Sequence, residues 1–118
     1  MKSRIKSFRA ALQGLFFMFS TQINAQIHFT AAVSACLAAW FFEVTITEWC
    51  LILIAIVMVT GAEAFNTSIE QLTDLVSPQY HPLAGKAKDL AAGAVLIFAI
   101  GAFILGLIIF LPKLSGMF

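Results

Sequence analysis

Residues 90–111, "LAAGAVLIFAIGAFILGLIIFL", run for 22 positions without a charge. About 20 apolar residues are what a helix needs to cross the hydrocarbon core of a bilayer. That single run commits the chain to lipid as its solvent. Composition agrees. Of 118 residues, 61% are hydrophobic and 11% are charged, where a soluble domain carries about 25% charged residues. A globule this short exposes too much surface to hide so much apolar side chain from water. The net charge is +1, and no basic patch is interleaved with aromatic residues, so nucleic acid is set aside as a partner. Gly93, Gly101 and Gly106 lie along the run. They read equally as ordinary transmembrane composition or as a close-packing face.

Two further spans are expected. "IHFTAAVSACLAAWFF", residues 27–42, is short for a bilayer, so its helix is taken back to Ile23 and on to residue 43. "WCLILIAIVMVTGA", residues 49–62, is uncharged and continues without a stop into a polar stretch that reaches Val76. One long helix over 48–76 therefore emerges from the membrane partway along. "SPQYHP" ends it, because Pro78 and Pro82 cannot continue the backbone hydrogen bonding. The last span is expected over 87–111. Trp40 and Trp49 read as interfacial anchors, and Cys36 and Cys50, whose spacing matches no metal motif, as hydrophobic packing residues.

The N-terminal stretch differs. Over residues 4–20, Ile5, Phe8, Leu12, Leu15, Phe16 and Phe19 recur at helical spacing, while Lys2, Arg4, Lys6 and Arg9 make a basic end. This suits a helix lying in the membrane interface. A signal peptide is the rival reading, but Gln13 and Gly14 interrupt the apolar middle, and a large Ile23 stands where a small residue is preferred. The expected fold is thus an all-α membrane protein: one interfacial amphipathic helix and three transmembrane helices in a single domain over 1–118. The N-terminus has four basic residues, the 77–89 segment has Lys86 and Lys88, and "EVTITE" has none. The positive-inside rule puts the first two in the cytoplasm, leaving Lys113 as a minor exception outside.

The long helix then places a polar face toward the cytoplasm. At about 100° per residue, Glu63, Glu70 and Asp74 fall within roughly 40° of one another, with Asn66 and Thr67 flanking them. Three stacked acids repel one another unless a divalent cation, Lys86 and Lys88, or protons sit nearby. Glu63 is the most informative, because an ionisable residue at the edge of the hydrocarbon is expensive and marks function. It suits general acid–base work. Asp74 has the strongest claim to be merely a solvated residue on a helix leaving the membrane. The residues alone reach a small membrane protein with an acidic, cytoplasm-facing site, and no reaction.

"EAFNTSIEQLTDLVSPQYHPLAGKAKDLAAGAVL" resembles the signature of the prokaryotic diacylglycerol kinase and undecaprenol kinase family: E-x-x-N-[ST]-x-I-E, then D, then Y-H, then A-K-D. The layout of an amphipathic helix and three spans covers the whole chain. The resemblance implies an integral membrane homotrimer of the bacterial inner membrane that phosphorylates a lipid hydroxyl with ATP and Mg²⁺, with active sites built between neighbouring subunits. It implies Glu63 as general base and Asn66 as its or the substrate's orienting partner. Glu70 would hold Mg²⁺, for which carboxylate oxygen is a suitable hard ligand. Lys88 would neutralise phosphate charge, Asp89 would position the nucleotide, and Gln79, Tyr80 and His81 would edge its pocket. Phosphoryl transfer needs mainly alignment and charge stabilisation, so a sparse set suffices. Neither "GxxxxGK[ST]" nor a protein-kinase signature occurs.

One departure concerns the metal. Where the family usually has a second metal-binding glutamate, this chain has Gln22, whose amide oxygen lacks the charge. Gln26 stands where many relatives have arginine. Asn24 and the "IH" pair ending at His28 follow the undecaprenol-kinase branch, as does "SPQYHPLA". His28 reads either as an interface-lining residue or as a nucleotide or lipid contact. The resemblance favours undecaprenol as substrate, with diacylglycerol as runner-up. The competing class is a small structural membrane protein, or a relative made inactive at Gln22.

Overall fold

A computed structural model describes residues 1–116. They form four helices: α1 (Lys2–Thr21), α2 (Ile23–Phe41), α3 (Ile46–Val76) and α4 (Pro82–Ser115). An all-helical chain satisfies its backbone hydrogen bonds within each segment, which a hydrocarbon solvent demands. α3 and α4 are long and apolar enough to cross a membrane. At 31 and 34 residues they measure about 46 and 51 Å, against a core of about 30 Å. Each therefore projects well beyond one bilayer's hydrocarbon. α2, with 19 residues, is about 28 Å long. Asn24, Gln26, His28, Thr30 and Ser34 dilute its apolar character, so it does not match the other two by length and composition.

The connections are chemically specified. Gln22 is extended (φ −100°, ψ 116°) between α1 and α2 and donates its backbone N–H to Met18 O. The Gln26 side chain reaches back to Phe19 O at 3.1 Å, fixing that corner. α2 ends in a Schellman motif: Val44 N–H donates to Ala39 O and Glu43 N–H to Trp40 O, with Glu43 at φ 52° in the left-handed position that glycine usually fills. Val44 and Ala39 are both buried in a core cluster with Ile52 and Ile109, the hydrophobic contact that accompanies this motif. α3 then starts on a capping box, in which Thr45 Oγ1 accepts from Glu48 N and Glu48 Oε1 accepts from Thr45 N. Glu48 also holds Lys113 Nζ at 2.8 Å. Lys113, an exception in the charge pattern, thus has a partner that joins the start of α3 to the end of α4.

α3 ends at Val76, ahead of Pro78. Its successor begins five residues before the expected 87. Pro82 occupies the first helical position of α4, where its missing N–H costs nothing and its fixed φ is already helical, and His81 Nδ1 accepts from Leu83 N. Pro112 lies inside the last turns, and the helix runs to Ser115 rather than 111. α3 is the centre of the packing, with α2 and α4 both against it. Trp49 packs on the Ala39–Val44–Ile52–Ile109 cluster, so its indole is no free anchor, whereas Trp40 is exposed. Cys36 is half-buried and Cys50 is exposed, and both are free thiols. Cys50 therefore does not pack within this chain. Most large apolar side chains of α3 and α4 face outward, as they must where the surroundings are lipid or neighbouring subunits.

Candidate active site

The polar stretch of α3 is where the chain breaks the rules of its own composition. Glu63 is 2% exposed and Asn66 6%. Thr67, also buried, turns its Oγ1 back onto Glu63 O at 2.9 Å, so it consumes its own hydroxyl locally and stays out of the site chemistry. Asn66 Nδ2 donates to Glu70 Oε1 at 3.2 Å. This i, i+4 pair leaves Asn66 Oδ1 buried without a partner among the described residues, and Glu63 Oε2 is in the same condition. A buried polar oxygen left unpaired is costly. Two of them on one helix face identify a place prepared for something that donates.

From α2, His28 Nε2 lies 3.8 Å from Glu63 Oε2, with the imidazole about one quarter exposed. The gap is longer than a hydrogen bond. Packing of α2 on α3 thus brings a titratable ring to the carboxylate and leaves room beside it. Further along α3, Asp74 forms an ion pair with Lys88 of α4; the aspartate is exposed and the lysine half-buried. The fold therefore joins three sets of the expected residues: His28 with Glu63, Asn66 with Glu70, and Asp74 with Lys88. Asp74 is engaged by a cation of its own chain, which accounts for one acid of the stacked face.

The remaining residues are less assembled. Gln22 is half-buried at the α1–α2 corner, and its Nε2 is 3.4 Å from Thr21 Oγ1. Asn24 is exposed. Gln79 and Tyr80 lie in the α3–α4 turn, where Gln79 O accepts from Ser77 Oγ and Tyr80 is 89% exposed. His81 caps α4, and Asp89 is exposed one residue beyond Lys88. Because α4 begins at Pro82, Lys86 joins Lys88 and Asp89 on its first turns. Sequence reasoning offered Lys86 and Lys88 as one of three possible neutralisers of the acidic face, and the fold brings Lys88 to Asp74; the Lys113–Glu48 pairing was not foreseen, since no local spacing announces it.

Among the described residues no group of three or more His, Cys, Asp or Glu side chains is arranged to hold a metal ion. What the chain offers is one half-buried carboxylate, Glu70, beside the unpaired Asn66 Oδ1. That donor set fits Mg²⁺, which takes one or two carboxylates and completes its octahedron with water and substrate phosphates. It would not suit a metal needing a full protein cage.

The sequence profile of the family described as prokaryotic diacylglycerol kinase matches residues 9–110. Undecaprenol kinase of Bacillus subtilis (strain 168) is 43% identical over 109 residues, covering 92% of this chain and 89% of that protein. Diacylglycerol kinase of Synechocystis sp. is 39% identical over 112 residues, 94% of this chain and 64% of the relative. Diacylglycerol kinase of Escherichia coli (strain K12) is 34% identical over 74 residues, 63% of this chain and 61% of the relative. The matched segment of the family profile contains all four helices in whole or part, together with Glu63, Asn66, Glu70 and Lys88. The chain is an integral membrane enzyme and belongs to the prokaryotic diacylglycerol kinase family of lipid kinases.

Proposed function

We propose that the protein transfers the γ-phosphoryl group of ATP to the hydroxyl of a membrane lipid, undecaprenol in preference to diacylglycerol. The buried Glu63 carboxylate, with Oε2 unpaired and open toward His28, is the observation that carries this reading. An alcohol is the donor that such an oxygen lacks. Its O–H donates to Oε2 in the bound state, and the proton passes to Oε2 as the alcohol oxygen forms its bond to the γ-phosphorus. The bond from that phosphorus to the bridging oxygen of the diphosphate breaks, and ADP carries the electron pair away. Positioning of the reacting oxygens and stabilisation of phosphoryl charge do most of the work in such a transfer.

Asn66 holds Glu70 through its amide N–H₂. In this reading Glu70 and Asn66 Oδ1 face the metal, and Gln22 contributes an amide oxygen in place of a carboxylate. Mg²⁺, when bound, neutralises phosphate charge and aligns the transferred group. Lys88 exchanges Asp74 for a phosphate oxygen, Asp89 and His81 sit on the same helix start, and Gln79 and Tyr80 edge the nucleotide. α2, α3 and α4 each cross the bilayer, α1 lies in the cytoplasmic interface, and the site opens to the cytoplasm. One chain supplies too few ligands for a complete metal and nucleotide site, and much of its apolar surface is uncovered. The sparse ligand set favours sites shared between subunits, and the homotrimer rests on the family resemblance.

Undecaprenol is favoured by the 43% identity, over nearly the full length of both chains, to a relative named for that substrate. The test uses purified protein in detergent with labelled ATP and Mg²⁺, supplied with undecaprenol or diacylglycerol. Faster labelling of undecaprenol is expected. A large preference for diacylglycerol would reverse the substrate assignment, and labelling of neither lipid would remove the activity.

A further inference from the structure

Phosphorylation of an alcohol by ATP releases one proton for every phosphoryl group moved. In the reading above that proton ends on Glu63 Oε2, and the Glu63 side chain is 2% exposed. The next turnover needs the proton gone, yet the carboxyl has almost no surface from which water could take it. Its polar neighbours on α3 are committed elsewhere. Thr67 Oγ1 donates to Glu63 O, and Asn66 is an amide whose Nδ2 donates to Glu70. Glu70 itself stands about 10 Å further along the helix, where the metal is assigned.

His28 differs from all of these. Its Nε2 is 3.8 Å from Glu63 Oε2, and its side chain is 23% exposed. It therefore reaches the buried acid on one side and the outside on the other. No other charge competes for it. α2 carries none besides this ring, and the α3 and α4 side chains that line a common groove with it are uncharged. Lys88 is paired with Asp74, about 16 Å beyond Glu63 along α3, with Lys86 and Asp89 beside it on α4. The basic residues of α1 end at Arg9, about 18 Å along that helix from its corner with α2.

Resting on the lipid-kinase reading, we propose that His28 is a proton relay, carrying the proton from Glu63 to solvent after each phosphoryl transfer. Once the phosphorylated lipid has left, the ring moves about 1 Å closer to reach hydrogen-bond distance. Neutral Nε2 accepts the proton from Oε2, and Glu63 returns to its carboxylate form. The imidazolium then loses a proton to water at its exposed edge. One proton leaves the alcohol and one enters solvent, so the cycle closes with no other reactant. Imidazole is the side chain suited to both halves of such a step at cellular pH. His28 acts through Glu63, by resetting it, and takes no part in the bond changes at phosphorus.

The test isolates proton removal from the other steps. Wild type, His28→Ala and Glu63→Gln are assayed in detergent with undecaprenol, ATP and Mg²⁺ in dilute buffer, and again with imidazole added. Wild-type kcat should not depend on imidazole. His28→Ala should turn over about tenfold more slowly or worse in dilute buffer, with KM for the lipid little changed. Added imidazole should restore much of its kcat by standing where the ring stood. Glu63→Gln should gain nothing from imidazole. His28→Asn leaves room for the same rescue should His28→Ala fail to assemble. Wild-type kcat in the His28 variants at low buffer overturns the relay. A deficit that imidazole does not relieve also overturns it, and makes the ring a packing or contact group. Wild-type protein that phosphorylates neither undecaprenol nor diacylglycerol would bring down the kinase reading itself, a result distinct from an active enzyme without a relay.

Discussion

His28 Nε2 and Glu63 Oε2 face each other across 3.8 Å, one on α2 and the other on α3, with the carboxylate oxygen buried and unpaired. The pair is close enough for electrostatic influence and too far apart for a direct hydrogen bond. A hydroxyl oxygen placed between them can donate to one and lie against the other. Glu63→Gln keeps the shape and removes the proposed base. It should lower kcat by about 10²–10⁴, the usual contribution of a positioned general base, while the oligomer and helix content survive. Steady-state kinetics with size-exclusion chromatography of the same sample checks both parts. A fully active Glu63→Gln variant would leave the proton without a recipient.

Glu70 is the carboxylate that Asn66 holds in place. Its replacement should show as a change in metal dependence rather than in lipid binding. Glu70→Ala is expected to move the Mg²⁺ titration to concentrations about tenfold higher or more, with KM for the lipid little altered. Gln22→Glu restores a charge at the corner of α1 and α2 and should leave activity intact or shift the titration lower. Unchanged Mg²⁺ curves for Glu70→Ala would take this residue out of the metal site.

Lys88 and Asp74 form an ion pair whose two ends are 39% and 60% exposed. Exposed pairs of this kind contribute little, about 0–1 kcal/mol, so on the proposed function Asp74 would yield the lysine to a phosphate at small cost. Lys88→Met should raise KM for ATP about tenfold, the loss of one charge-assisted contact. Asp74→Asn should change KM for ATP and thermal stability only slightly. Nucleotide titrations on the two variants separate the roles. Equal effects would make the pair itself the functional unit.

Much of this arrangement was legible in the chain. The uncharged run of 90–111 fixes α4 as a lipid-facing helix, and the absence of any stop between Trp49 and Val76 makes α3 one rod. The helical period places Glu63, Glu70 and Asp74 on one face before any packing is known. What the chain does not announce are contacts between helices. His28 meets Glu63 only because α2 leans on α3, and Lys88 reaches Asp74 only because Pro82 starts α4 early enough to bring its first turns alongside the end of α3. Pro82 read as a breaker; at the first position of a helix the same ring is an initiator. The Ala, Ser and Thr of the first span read as compatible with a groove for a long prenyl chain, and the fold sets several of those alanines opposite α3 and α4.

Glu43 gives the most local prediction. It occupies the left-handed position of the Schellman motif that ends α2, at φ 52°, with Val44 N–H donating to Ala39 O and its own N–H to Trp40 O. An L-residue pays about 1–2 kcal/mol there through the clash of its Cβ with the backbone, a cost glycine escapes. The side chain is exposed and makes no compensating hydrogen bond or ion pair among those found in the described residues. Glu43→Gly should therefore raise the thermal midpoint in detergent by several degrees, as about 1 kcal/mol does in a chain of this size. Glu43→Ala removes the same charge but keeps a Cβ, and should bring little of the gain. Glu63 lies about 26 Å along α3 from the helix start beside this turn, so kcat of both variants at low temperature should match the unmodified enzyme. Equal stabilisation by alanine and glycine would trace the effect to the lost carboxylate, and the backbone strain would then play no part.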